Sequence, residues 1–120
     1  MIQKSGLHSY LRMIDKATRV TVHKEQIVKA LQQVYDPELP VDIYALGLIY
    51  EIHIDANNNV RVVMTLTSPN CPAAELLPGQ VEASIRKIQG VNEVQITLTF
   101  EPPYAPSMMS EAAKLTLGFL

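Results

Sequence analysis

Apolar positions along the 120-residue chain follow two periods, and the switches between them predict its elements. In "KEQIVKALQQVY", Ile27, Leu31, Val34 and Tyr35 form a stripe at helical spacing, while Lys24, Gln32 and Gln33 stay polar. The residue before a proline is pushed out of the α region, so Pro37 ends this helix. The next stretch, "DPELPVDIYALG", is dense in acids and turn signals and reads as a structured surface loop. Period two then takes over. Leu48, Tyr50, Ile52 and Ile54 alternate with Ile49, Glu51, His53 and Asp55. Val60, Val62, Met64 and Leu66 alternate in the same way with Arg61, Val63, Thr65 and Thr67. "ANNN" supplies turn-tolerant residues between the two runs, so they form a hairpin.

Helical spacing returns at Val81, Ile85 and Ile88, with Leu77 and Ala74 extending that face. Proline is cheap in a first helical turn and costly farther in, so Pro78 argues against an undistorted helix running from Pro72. Gly90 is the natural cap of its C-terminus. "VNEVQITLTF" predicts a third strand with Val94, Ile96, Leu98 and Phe100 inward; the prolines of "EPPYAP" argue against its continuing. "SMMSEAAKLTLG" reads as a short helix capped at Ser107 or Ser110, with Met109, Ala112 and Leu115 on one side and Gly118 as its stop. The order helix, two strands, helix, strand, short helix predicts a two-layer α+β fold. Its helices cover one face of a small mixed sheet, because alternating strands need only one covered face.

Composition narrows the class. The hydrophobic fraction of 48% and charged fraction of 18% are those of a globular domain. A net charge of -2 argues against a general nucleic-acid binder. A single cysteine excludes a disulfide scaffold and fits a reducing compartment. No apolar stretch approaches the roughly 20 residues of a membrane span, and the opening "MIQKSGLHSYLRM" lacks the apolar run of a secretory signal. A cytoplasmic location is the expectation. Residues 1–22 form an N-terminal extension, locally basic through Lys4, Arg12, Lys16 and Arg19 against Asp15, and read as a cover for an edge or a partner or as a frayed tail. Residues 23–120 form the domain.

The candidate chemistry centres on Cys71, set between Pro69-Asn70 and Pro72. With Pro72 in a first helical turn, free backbone N–H groups beside Cys71 would favour its thiolate. The competing reading is a small buried hydrophobe. Asp36, Glu38 and Asp42 cluster in the first loop, where they can ligate a metal, act as acid or base, or shape the loop by accepting backbone N–H bonds. His8, His23 and His53 are scattered without metal-ligand spacing, and His53 lies on the outward phase of its strand. Phosphate-binding glycine loops and nucleophile-elbow motifs are missing. Met108 and Met109 read as core filling.

Three stretches together, "DPELPVDIYALGLIYEI", "VVMTLTSPNCPAAELLP" and "PPYAPSMMSEAAKLTLGF", resemble the MIP18 family, also called DUF59, over roughly Glu25 to Leu120. The resemblance is greatest to its bacterial SufT-like and PaaD-like members. It implies a fold related to iron-sulfur assembly domains, with helices against a mostly antiparallel sheet. It also implies a fourth strand or extended segment near Pro102 to Pro106. The implied work is iron-sulfur cluster assembly, or delivery to client proteins, through protein contacts rather than turnover of a small substrate. The family's acidic loop falls on Asp36, Pro37 and Glu38, with Asp42 just beyond. Its reactive cysteine falls on Cys71, flanked by Thr67, Ser68, Pro69 and Pro72, and its closing segment on Met108 through Gly118. PaaD-like proteins carry a cysteine-rich C-terminal region that this sequence lacks, which favours the SufT-like branch.

Ligand counting limits the mechanism. Cys-only iron-sulfur sites commonly use four cysteines, and Cys71 stands alone. A homodimer would contribute two thiolates, the rest coming from exogenous thiols or a partner, so Cys71 is a metal ligand only if shared. A cofactor-free adaptor is equally coherent. The alternatives are a structural interaction module and a thiol-dependent enzyme, the latter weakened because no histidine is placed by motif as a base. The expectation is a non-enzymatic auxiliary with Cys71 as functional thiol and Asp36, Glu38, Asp42, Thr67 and Ser68 as its supporting loop. No cofactor is expected in the resting protein, beyond a transient iron-sulfur cluster. Its partners are assembly proteins and apo-clients, without nucleic acid or membrane.

Overall fold

The computed structural model of the protein describes residues 20–67 and 73–119. The chain begins with helix α1 (Lys24–Leu31), whose N-terminal turn is fixed where Gln26 Oε1 accepts the His23 N–H at 2.8 Å. The apolar stripe predicts a helix to Tyr35, but α1 stops at Leu31. Past that point the N–H groups of Gln33 and Val34 turn back to Ala30 and Leu31, and Tyr35 bridges Asp42 instead. Val34 stays in the core, whereas Tyr35 is exposed. Closing the following loop into a two-sided ladder overrides the helical pattern. A one-turn helix, α2 (Ile43–Leu46), comes next and buries Ile43 and Leu46.

Strands β1 (Ile49–Ile54) and β2 (Val60–Met64) form the expected antiparallel hairpin. The phase of β1 is not the expected one throughout. A bulge lies between Ile49 and Glu51, so Ile49 opposes Met64 while Glu51 opposes Val63. The extra residue is Tyr50, and one residue more in a strand re-aims the side chains beyond it. His53 is exposed, 2.8 Å from Glu51, in agreement with its outward phase.

Helix α3 (Ala73–Arg86) runs through Pro78, farther into the helix than a proline is cheap. Pro78 has no N–H for the carbonyl of residue 74, yet the helix is continuous, because Leu77, Val81 and Ile85 are all fully buried on its inner face. Each such burial is worth about 1.5–3 kcal/mol, enough to offset the missing bond. Ser84 Oγ donates to Ala30 O at 3.0 Å and ties α3 to α1. The helix ends at Arg86, so Gly90 is not its cap; at φ +98 it closes the turn before the next strand.

Strand β3 (Val94–Leu98) returns parallel to β2, giving a three-stranded mixed sheet of order β1-β2-β3. Ile27, Leu31, Leu77, Val81 and Ile85 of the helices meet Val60, Val62 and Met64 of the central strand in one core. Phe100, expected inward, lies beyond the strand and is exposed. The segment near Pro102 to Pro106 adds no strand to the sheet among the described residues; it leads into a 3-10 helix, Pro106–Met108. The last helix, α4 (Glu111–Leu117), is capped by Ser110, whose Oγ accepts the Ala113 N–H at 3.1 Å, and stops at Gly118 with φ +83. Its inner side is Ala113 and Leu117 rather than the expected Ala112 and Leu115, of which Leu115 is 68% exposed.

Of the N-terminal extension, Val20 to Val22 are described. Val22 is buried, and Asn58 grips the chain on either side of Thr21: its Oδ1 accepts the Val22 N–H and its Nδ2 donates to Val20 O at 2.7 Å. Asn58 itself sits at φ 60, a conformation asparagine tolerates. The same turn is braced by Asp55, which accepts N–H bonds from Asn57 and Asn59. Those bonds, that from Asn59 foremost, hold its carboxyl below the usual range. Among the described residues, no helix is long and apolar enough to cross a membrane.

Candidate functional site

The acidic loop is built by its own carboxylates. Asp36 is 7% exposed, and its Oδ1 accepts the Glu38 N–H at 2.8 Å, which satisfies a carboxylate otherwise costly to bury. Asp42 caps α2 by accepting the Ala45 N–H at 2.9 Å. Glu38 projects into solvent. Two of the three acids therefore shape the loop, and among the described residues no group of three or more His, Cys, Asp or Glu is placed to hold a metal.

Residues 99–110 cross the end of the sheet as a strap and fasten to α2. Gly47, at φ +85, leads out of that helix, and a Cβ there would stand 2.3 Å from Met108 O; only glycine admits the crossing. Ser110 N donates to Ala45 O at 2.8 Å, and the Tyr104 hydroxyl donates to Leu46 O. These bonds fill the carbonyls that a helix C-terminus leaves open. From the bulge, Tyr50 donates its hydroxyl to Pro102 O at 2.8 Å, with Met108 Sδ at 3.6 Å. Burial, then the neighbouring Tyr50 and Asp36, push the Tyr104 phenol above its ordinary pKa.

The exit of β2 reaches the same end of the sheet. Thr65, fully buried, donates its N–H to Leu48 O at 2.8 Å, and Thr99 N donates to Met64 O at 2.8 Å. Thr67 lies two residues farther, exposed. Acidic loop, strap and β2 exit thus converge. Ser68 and Cys71 lie outside the described residues. Sequence reasoning missed Gly47, Tyr50 and Tyr104. Tyr50 was hidden by the bulge, and the prolines of "EPPYAP" were the one signal that the chain there is neither helix nor strand.

Residues 24–98 match the family model described as iron-sulfur cluster assembly protein. An Fe-S protein maturation auxiliary factor of Porphyromonas gingivalis is 52% identical over 97 residues, covering 81% of this chain and 92% of that protein. One from Bacillus subtilis is 39% identical over 95 residues, covering 79% and 93%. The solved structure of a conserved hypothetical protein from Thermotoga maritima superposes with TM-score 0.73 at 46% identity, over 82% of this chain and 96% of that one. A DUF59 domain of unknown function from Bacillus anthracis gives TM-score 0.76 at 37% identity, over 81% and 92%. The chain belongs to the iron-sulfur cluster assembly protein family, in its MIP18, or DUF59, SufT-like group.

Proposed function

We propose that this protein assists the maturation of iron-sulfur proteins by docking on assembly components and apo-clients, with the Cys71 thiol engaged at the docked site. As a member of its family it is an auxiliary rather than an enzyme and works through contacts with other proteins. The observation that supports the finer reading is the convergence of the acidic loop, the strap and the β2 exit at one end of the sheet, because Thr67 at that end stands four residues before Cys71 in the sequence. In this reading residues 23–120 are the working domain, and Asp36, Glu38, Asp42, Thr67 and Ser68 support the thiol.

The cluster is cargo. One cysteine per chain falls short of the four that Cys-only clusters commonly use, so any bound cluster takes its remaining ligands from a partner, a second copy or small thiols. Affinity capture with wild type and Cys71→Ala, followed by anaerobic reconstitution with iron and sulfide counted per chain, tests both parts. Wild type captures assembly components or apo-clients and Cys71→Ala captures fewer. Equal capture by the two would remove the thiol from the contact. A cluster signal unchanged in Cys71→Ala would remove it from the cargo.

A further inference from the structure

Between the strap and the outer face of the sheet runs an open groove of about 640 Å³. Ile49, Val63 and Met108 give it an apolar lining, Tyr50 a ring, and Glu51 and Glu101 two carboxylates, with no lysine or arginine in its walls. Glu101 forms no ion pair among the described residues, and Glu51 has only His53. The other acids beside the hairpin turn are engaged. Asp55 accepts from Asn57 and Asn59, while Glu82 and Glu93 flank Arg86.

We propose that this groove is the docking surface for the chain's own N-terminal segment, residues 1–19. Both partners of the match are in this sequence. The segment carries Lys4, Arg12, Lys16 and Arg19 against Asp15, together with Leu7, Leu11 and Ile14. Its basic groups meet the two carboxylates, and its apolar side chains meet the lining. Reach selects which of them arrive. The segment joins the domain at Val20, held by Asn58 at the start of β2, and the groove lies at the far end of that strand. Five strand residues separate the two, about 17 Å at 3.3–3.4 Å per residue. Lys16, four residues before Val20, spans at most about 14 Å of backbone and arrives only with its side chain extended, whereas Arg12 and Lys4, at about 27 Å and 55 Å, reach along the backbone alone.

The test is zero-length carbodiimide coupling of the full chain, with links mapped by mass spectrometry. Lys4 or Lys16 should join Glu101 or Glu51 within one chain. The yield should fall at least about fivefold near 1 M salt, where the screening length is about 3 Å. Glu51→Gln/Glu101→Gln, two exposed isosteric changes that leave the fold intact by circular dichroism, should abolish these links. Mixing heavy-isotope and normal chains identifies the occupant: links between chains would assign the groove to a second copy and overturn the proposal. So would lysine links confined to Asp55 or Glu93, or no link to Glu51 or Glu101 at all.

Discussion

At the end of the sheet where β2 and β3 begin, closure is made by amide side chains; at the end where they finish, it is made by backbone contact and phenolic hydroxyls. Asn58 and Asn59 tie the hairpin turn to Val20, Val22, Asn92 and Glu93. At the opposite end, Tyr104 and Tyr50 fasten the strap, and Gly47 lets it lie against α2. The difference lies in tolerance. Hydrogen bonds from side chains can be lost one at a time, each worth about 1 kcal/mol. A crossing that depends on a missing Cβ fails with one methyl group. Each end can be broken separately, and the sizes should rank accordingly.

Gly47→Ala is the largest expected effect. The new Cβ meets Met108 O at 2.3 Å, in a backbone conformation unfavourable for alanine. A loss of about 3 kcal/mol or more is expected, read as a lower urea midpoint, because strain and overlap add. Asn58→Ala should cost about 2 kcal/mol by the same measurement, since two hydrogen bonds go and alanine must hold φ 60. A cost equal to that of Gly47→Ala would erase the distinction between the ends.

Tyr104→Phe is the smallest, about 1 kcal/mol at neutral pH, from one hydroxyl bond to Leu46 O. It also carries a pH signature. The Tyr104 phenol is raised above its ordinary value of about 10, by burial first and by Tyr50 and Asp36 after it. The unfolded chain therefore loses this proton before the folded one. The stability it contributes is fully present below about pH 10 and is lost as pH rises through the folded value. The difference in unfolding midpoint between wild type and Tyr104→Phe should be smaller at about pH 11 than at about pH 8. A constant difference would mean that the phenol does not titrate differently in the two states.

Periodicity located the elements that bury continuous faces. Ile27 and Leu31, Leu77, Val81 and Ile85, and Val60, Val62 and Met64 are where the spacing puts them, because those faces meet one core. It failed where tertiary contacts override local pattern. The ladder between Tyr35 and Asp42 shortens α1, and the Tyr50 bulge breaks the count of β1. In α4, Ala112 and Ala113 are indistinguishable by hydrophobicity, so the phase of so short a helix was undetermined. The acidic loop was half legible: accepting backbone N–H groups was among the roles expected for its carboxylates, and Asp36 and Asp42 do so. The family resemblance implied a strand or extended segment at Pro102 to Pro106, but the strap's contacts were not legible, because they are hydroxyl to carbonyl and backbone to glycine, which leave no periodic trace.

The central claim is that the family's auxiliary function works in this protein through Cys71. It is tested most directly by the activity of an iron-sulfur client in cells lacking the protein, complemented with wild type or with Cys71→Ala at matched abundance. Wild type should restore client activity, and Cys71→Ala should leave it near the uncomplemented level while folding normally by circular dichroism. Full restoration by Cys71→Ala would contradict the account.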